Sequence, residues 1–171
     1  MSHSQALRHY HDWLKDAHAM EKQAETMLGK MADRLQHYHE LKFRIQQHII
    51  ETRQQQNQLE NILNRYNISH SSVKEVIGKM FAIGQAIAVS FAEDEIVKGT
   101  MSCYVFENAE LASYTSLIAA ATYVGDKESI PIFEQIFEQE RVMSDWIFSH
   151  LPEITNKFLT LSDQQSIKAK L

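Results

Sequence analysis

Four long stretches of this chain repeat apolar residues at helical spacing, and almost nothing inside them can break a helix. Only 5 glycines and 2 prolines occur among 171 residues. β and α/β folds need more turn residues than that, because tight turns draw on glycine at positive φ and on the fixed φ of proline. An all-α chain follows. The 3.6-residue period predicts a first helix over Gln5–Leu35, with Tyr10, Leu14, Ala17, Ala24, Leu28 and Leu35 on one stripe. It predicts a second over Glu40–Arg65, whose stripe runs Leu41, Ile45, His48, Thr52, Gln55, Leu59 and Leu63 and ends near Asn67, a left-handed cap. A third is expected over Val97–Val124, stopped by Gly125. A fourth is expected over Lys127–His150, with Asp126 or Ser129 as cap and Pro131 tolerable only near its start. Pro152 is then expected to break the chain, leaving a short last helix and a polar tail from about residue 160.

The connections carry the topology. Helices one and two are joined by a few residues, as are three and four, so each pair reads as an antiparallel hairpin. Between the pairs lies Ser69–Gly99, whose apolar interior Val73–Phe91 has a helical pattern weakened by Gly78 and Gly84. A helix of some 26 residues is about 39 Å long, and this connection can run that whole length. Helix three would then start in the same direction as helix two. Two hairpins with one long crossover is the arrangement of a ferritin-like four-helix bundle. No repeat, low-complexity tract or linker divides the chain, so residues 1–171 read as one domain.

Composition removes several functions. The formal charge of −5 argues against nucleic acid, which needs clustered Lys and Arg. The apolar runs Ala82–Ala92 and Ser116–Val124 fall short of the roughly 20 residues that span a bilayer. Met1–Tyr10 is polar, with no apolar region of a signal peptide. The lone Cys103 can form neither an internal disulfide nor a cysteine zinc site. Together these predict a cytoplasmic protein.

The chemistry resides in glutamates on the wrong face. Helix three carries Glu107 and Glu110 on the stripe that holds Tyr104, Tyr114 and Leu117. Glu140 falls amid Phe133, Ile136 and Met143 on helix four, and Glu21 falls between Ala17 and Leu28 on helix one. Glu51 sits nearer the edge of helix two, about 60° round from His48. An unpaired charge in a protein interior costs several kcal/mol. A divalent metal pair explains such a set directly, since carboxylates bridge cations and the metal charge offsets their repulsion. The plainer readings remain open. Glu107 and Glu110 could pair with Lys or Arg across helices, His48 could be a hydrogen-bonded core histidine, and Tyr114 could serve packing alone. Cys103 reads as a packed small residue, and the remaining histidines suggest metal only by their number.

The segments LKDAHAMEKQAETML (14–28), QHIIETRQQ (47–55), YVFENAELASYTSLIAAA (104–121) and IFEQIFEQERVMSDW (132–146) resemble the YciE/YciF-type ferritin-like family. The likeness is closest to its YciE branch and covers roughly residues 9–158. It implies a ferritin-like bundle, a homodimer and an association with bacterial stress. It also implies metal ligands at Glu21, Glu51, Glu107, Glu110 and Glu140, the two glutamates of helix three resembling rubrerythrin-like proteins. The chain departs from the Glu-x-x-His pattern of such bundles. Gln54 and Met143 stand three residues after Glu51 and Glu140, and helix two offers His48 in the reversed order.

Two functions follow as expectations. The first is a di-metal centre, iron foremost with manganese or zinc as alternatives, that oxidises Fe(II) or reduces peroxide. The second is a metal-free helical dimer acting as a structural or partner-binding stress protein. Iron storage ranks below both, because it needs a closed shell that a dimer does not provide.

Overall fold

The computed structural model of the chain describes residues 5–68 and 95–168. Four helices account for nearly all of them: α1 Gln5–Arg34, α2 His39–Arg65, α3 Glu95–Val124 and α4 Ile130–Lys168. No strand occurs among the described residues. The all-α four-helix reading is thus what the chain adopts. The crossover interior Val73–Phe91 lies outside the described residues.

The helix ends follow the local chemistry. Asn67 takes φ 56°, and behind it Asn67 N–H bonds Asn64 O at 2.9 Å and Ile68 N–H bonds Leu63 O at 3.0 Å. This pair of bonds is the Schellman closure, with Asn in the left-handed position. Gly125, at φ 83°, repeats it on α3, where Asp126 N–H reaches Ala121 O at 2.8 Å. Ser129 precedes α4, and its carbonyl accepts the first helical bonds from Ile132 and Phe133. Residues 127–129 form the turn itself, so α4 begins three residues later than Lys127.

Pro152 does not end the fourth helix; α4 continues through it to Lys168. Proline removes one backbone bond and crowds the preceding turn, a penalty of about 3 kcal/mol. Packing outweighs it here. Ile154 is buried in a cluster with Leu28, Leu35, Tyr38, Leu41 and Ile147, and Leu151 and Leu161 pack against the same cluster. Breaking the helix at Pro152 would return those side chains to water.

α1 packs on α2 and on α3, α3 on α4, and α2 on α4. Tyr114 of α3 meets Glu21 of α1, while Cys103 meets Met31, so α1 and α3 are antiparallel. α2 and α3 therefore run the same way, as a full-length crossover requires.

Buried side chains sort into layers along the bundle. One apolar cluster holds Tyr10, Leu14, Leu59, Leu63, Leu117 and Phe133. The other holds Leu28, Leu35, Leu41, Ile45, Met143 and Ile147. On each helix the polar residues fall between the two: Glu21 on α1, His48, Thr52 and Gln55 on α2, Glu107 and Glu110 on α3, Glu140 on α4. No helix of the described residues is long and apolar enough to cross a membrane.

Candidate metal centre

In the middle layer three helices turn acid inward and α2 turns a histidine toward it. Glu21, Glu107, Glu110 and Glu140 are fully buried, and His48 is buried to 1%. Glu107 and Glu110 are one turn apart on α3, so both point across the bundle at once. Three donor atoms, from His48, Glu107 and Glu140, lie within 4.8 Å of one another. His48 Nε2 is 3.1 Å from Glu107 Oε2 and 3.1 Å from Glu140 Oε2. Nε2 is aligned for a hydrogen bond with Glu107, and Glu140 Oε2, equally near, has no hydrogen-bond partner.

The ring of His48 is fixed from behind. Its Nδ1 lies 2.7 Å from Glu51 Oε2, and Arg44 Nη1 donates to the same oxygen at 3.3 Å. Glu51 is the one member of the group that reaches solvent, with 30% of its side chain exposed. Tyr114 OH donates to Glu21 Oε1 from α3 to α1. Gln55 donates its amide to Glu140 Oε1 and, at 3.1 Å, to Gln139 Oε1.

These contacts leave much of the layer unanswered. Both oxygens of Glu110, Oε2 of Glu21, Oε1 of Glu107 and Oε1 of Gln55 are buried without a hydrogen-bond partner. Among the ion pairs of the described residues, none joins a lysine or arginine to Glu21, Glu107, Glu110 or Glu140; His48 pairs with Glu107 and Glu140. Among the described residues, interhelical pairing to Lys or Arg therefore does not account for Glu107 and Glu110.

Electrostatics follow from burial. Desolvation, reinforced by the charge of Glu140, drives the Glu21 carboxyl well above its usual range, and the Tyr114 bond offsets only part of that. Glu110 is driven up by burial and then by the charges of Glu21, Glu140 and Glu107. Burial also lifts Glu107, but His48 holds it to about 7. In Glu140 burial acts upward, but the adjacent charge of His48 and the bond from Gln55 outweigh it and keep the carboxyl below its ordinary value. Burial acts against a charged His48, yet the carboxylates of Glu107, Glu140 and Glu51 raise it well above 6.5. Without a further cation, the layer thus balances itself by taking up protons. Acceptor oxygens without donors, in a dry layer of one sign, match the donor set of a hard or borderline divalent metal.

Every residue expected from the sequence stands at or beside this layer. His48 is central, and Glu51 stands at its edge, bonded to His48 and Arg44. Gln55 and Arg44 were not singled out from the sequence. The signal for Gln55 was legible, since Thr52 and Gln55 are polar residues on a core stripe; Arg44 gave none. Tyr114 does reach a glutamate, one helix away. His37 and His39 are exposed, while His18 is buried one turn before Glu21. Cys103 is packed against Met31 Sδ at 3.3 Å, and burial holds its thiol protonated.

The arrangement has relatives. The family model described as domain of unknown function DUF892 matches residues 5–160. A solved protein from Xanthomonas campestris pv. campestris is 37% identical, with a TM-score of 0.79 over 94% of this chain and 99% of that one. The E. coli stress protein YciF is 18% identical, with a TM-score of 0.73 over 91% and 99% of the two chains. YcfI from Rhodopseudomonas palustris is also 18% identical, with a TM-score of 0.65 over 86% and 96%. The likeness to the last two is one of fold. A helical bundle matched by the family model over nearly its whole length, and by a solved relative at this identity, belongs to the DUF892 family.

Proposed function

We propose that this protein binds a di-metal centre in the middle of its bundle, iron foremost, with manganese or zinc as alternatives. The observation that supports it is the layer itself: four buried glutamates from three helices and a histidine from the fourth, with five of the eight carboxylate oxygens lacking a donor. His48, Glu107 and Glu140 would hold one ion. Glu21 and Glu110 would hold the second. Glu51 belongs to the centre through His48. Its carboxylate accepts from Nδ1, which leaves Nε2 to face the metal, as in other carboxylate–histidine–metal sites.

Bound iron would supply the redox chemistry, two Fe(II) ions giving one electron each to a peroxide that takes up two protons and leaves as water. The chain supplies the rest. His48, with Gln55 behind it, holds Glu140 ionised, Tyr114 holds Glu21 in one orientation, and the two apolar clusters flank the layer on both sides. On this reading the protein acts in a bacterial stress response, on the YciE side of its family, as a cytoplasmic homodimer. Free Cys103 is in keeping with that compartment, and the exposed Met101, Val105 and Phe148 give a dimer apolar surface to bury.

The test is anaerobic titration of chelator-stripped protein with Fe(II), Mn(II) and Zn(II), followed by metal analysis and melting. Saturable uptake with a raised melting temperature, both lost in Glu107→Ala with Glu110→Ala, is the expected result. No uptake and an unmoved melting temperature would favour the metal-free helical dimer instead.

A further inference from the structure

We infer that Arg44 and Glu51 form the mouth through which the cation reaches the buried layer, with Arg44 acting as a charge gate on its rate of loading. The inference rests on the metal reading above and goes beyond it. Of the six residues of the centre, only Glu51 touches solvent; His48 is 1% exposed and the other four are fully buried. Above and below the layer stand the apolar clusters around Leu14, Leu63 and Phe133 and around Leu28, Ile45 and Met143. The side chains of those two clusters offer a hydrated ion little but apolar surface. At Glu51 it finds a carboxylate one hydrogen bond from His48, and His48 is itself 3.1 Å from Glu107 and Glu140.

That carboxylate is guarded. Arg44 lies seven residues earlier, two turns along the same face of α2. Its side chain is only 12% exposed, and Nη1 sits 3.3 Å from Glu51 Oε2. A guanidinium cannot lose its proton at any ordinary pH. A divalent ion arriving at Glu51 therefore meets a fixed like charge within a few ångströms, and must displace it. Such a charge slows the approach of a cation more than it weakens the bound ion, which lies farther off beyond His48. Neutralising it lowers one barrier that the ion crosses in both directions.

The experiment uses the full chain stripped of metal. Fe(II) is added anaerobically in rapid mixing, and free Fe(II) is trapped at intervals with a coloured chelator. Arg44→Gln keeps a donor for Glu51 but removes the charge, and its loading rate is expected to rise about tenfold. Release into excess chelator should quicken less than loading, because the bound ion, beyond His48, lies farther from Arg44 than an ion at Glu51 does. Arg44→Lys, which keeps the charge, should load like the parent. The advantage of Arg44→Gln should shrink at about 1 M salt, where the screening length is about 3 Å. Metal bound at equal rates by parent and Arg44→Gln overturns the gate while leaving the centre standing. Faster loading by Arg44→Lys as well would also overturn it, since the bulk of the side chain and not its charge would then set the rate. Metal bound by neither protein overturns the centre, and the gate with it.

Discussion

Glu110 has both carboxyl oxygens buried without a donor, one turn from Glu107 and facing Glu21 and Glu140. Groups in this position take protons, and that has a sign. The Glu107 carboxyl is raised from 4.5 to about 7, and Glu21 and Glu110 move the same way. The folded metal-free protein then holds more protons than the unfolded chain above pH about 4.5, so stability falls as pH rises from there through 7. His48 acts in the same window. Its contribution is complete below 6.5 and is lost as pH rises through its elevated folded value. Glu140, depressed in the fold, contributes stability above 4.5 and loses it as pH falls through its lower folded value. The melting temperature of stripped protein should therefore fall between about pH 5 and pH 8. Because a metal needs those carboxylates ionised, its affinity should rise over the same range. Melting curves and titrations at three pH values check both slopes. A metal-free melting temperature that climbs toward pH 8 would contradict these assignments.

The helices themselves are held by features of very different legibility. Asp126 joins three elements. It accepts from Tyr10 OH at 2.7 Å, from Ser129 Oγ at 2.7 Å, and from Arg65 Nη2 at 2.7 Å. Burial alone would raise its carboxyl, but the bonds from Ser129, Tyr10 and Tyr66 and the charge of Arg65 leave it lowered. Asp126→Asn should destabilise by about 1–3 kcal/mol, since buried donors lose a charged acceptor; Arg65 is partly exposed, which trims its share. Chemical denaturation measures it, and an unchanged midpoint would show the junction to be dispensable. Pro152 is the opposite case. Pro152→Ala restores a backbone donor on an exposed position of α4 and should stabilise by about 1–3 kcal/mol. Destabilisation would mean that Ile154 and Leu161 need the local distortion to reach their cluster. Caps at Asn67 and Gly125 were readable because each depends on one residue and its neighbours. The span across Pro152 was not, because the decisive energy comes from Leu28, Leu35 and Leu41, residues more than a hundred positions away. The same division holds at the centre. Glu21, Glu107, Glu110 and Glu140 were readable as acids on apolar stripes. The role of Arg44 depends on where Glu51 meets solvent, and periodicity carries no record of that.

Taken whole, the molecule is two apolar cores with an acidic layer between them, and the layer works against the fold when no cation is present. A bundle evolved for stability alone would fill that layer with leucine or isoleucine. Glu110→Gln, and more so Glu110→Leu, should raise the melting temperature of the metal-free protein while weakening metal uptake, the usual exchange of stability for a working site. A melting temperature lowered by Glu110→Leu would mean that the glutamate has a structural partner. The central claim is met most directly by anomalous diffraction from crystals loaded anaerobically with Fe(II). The account predicts iron in the layer bounded by His48, Glu107 and Glu140, with a second position toward Glu21 and Glu110. Crystals saturated with Fe(II) that show no anomalous density there, with the four carboxyl groups bonded only to one another, would contradict it.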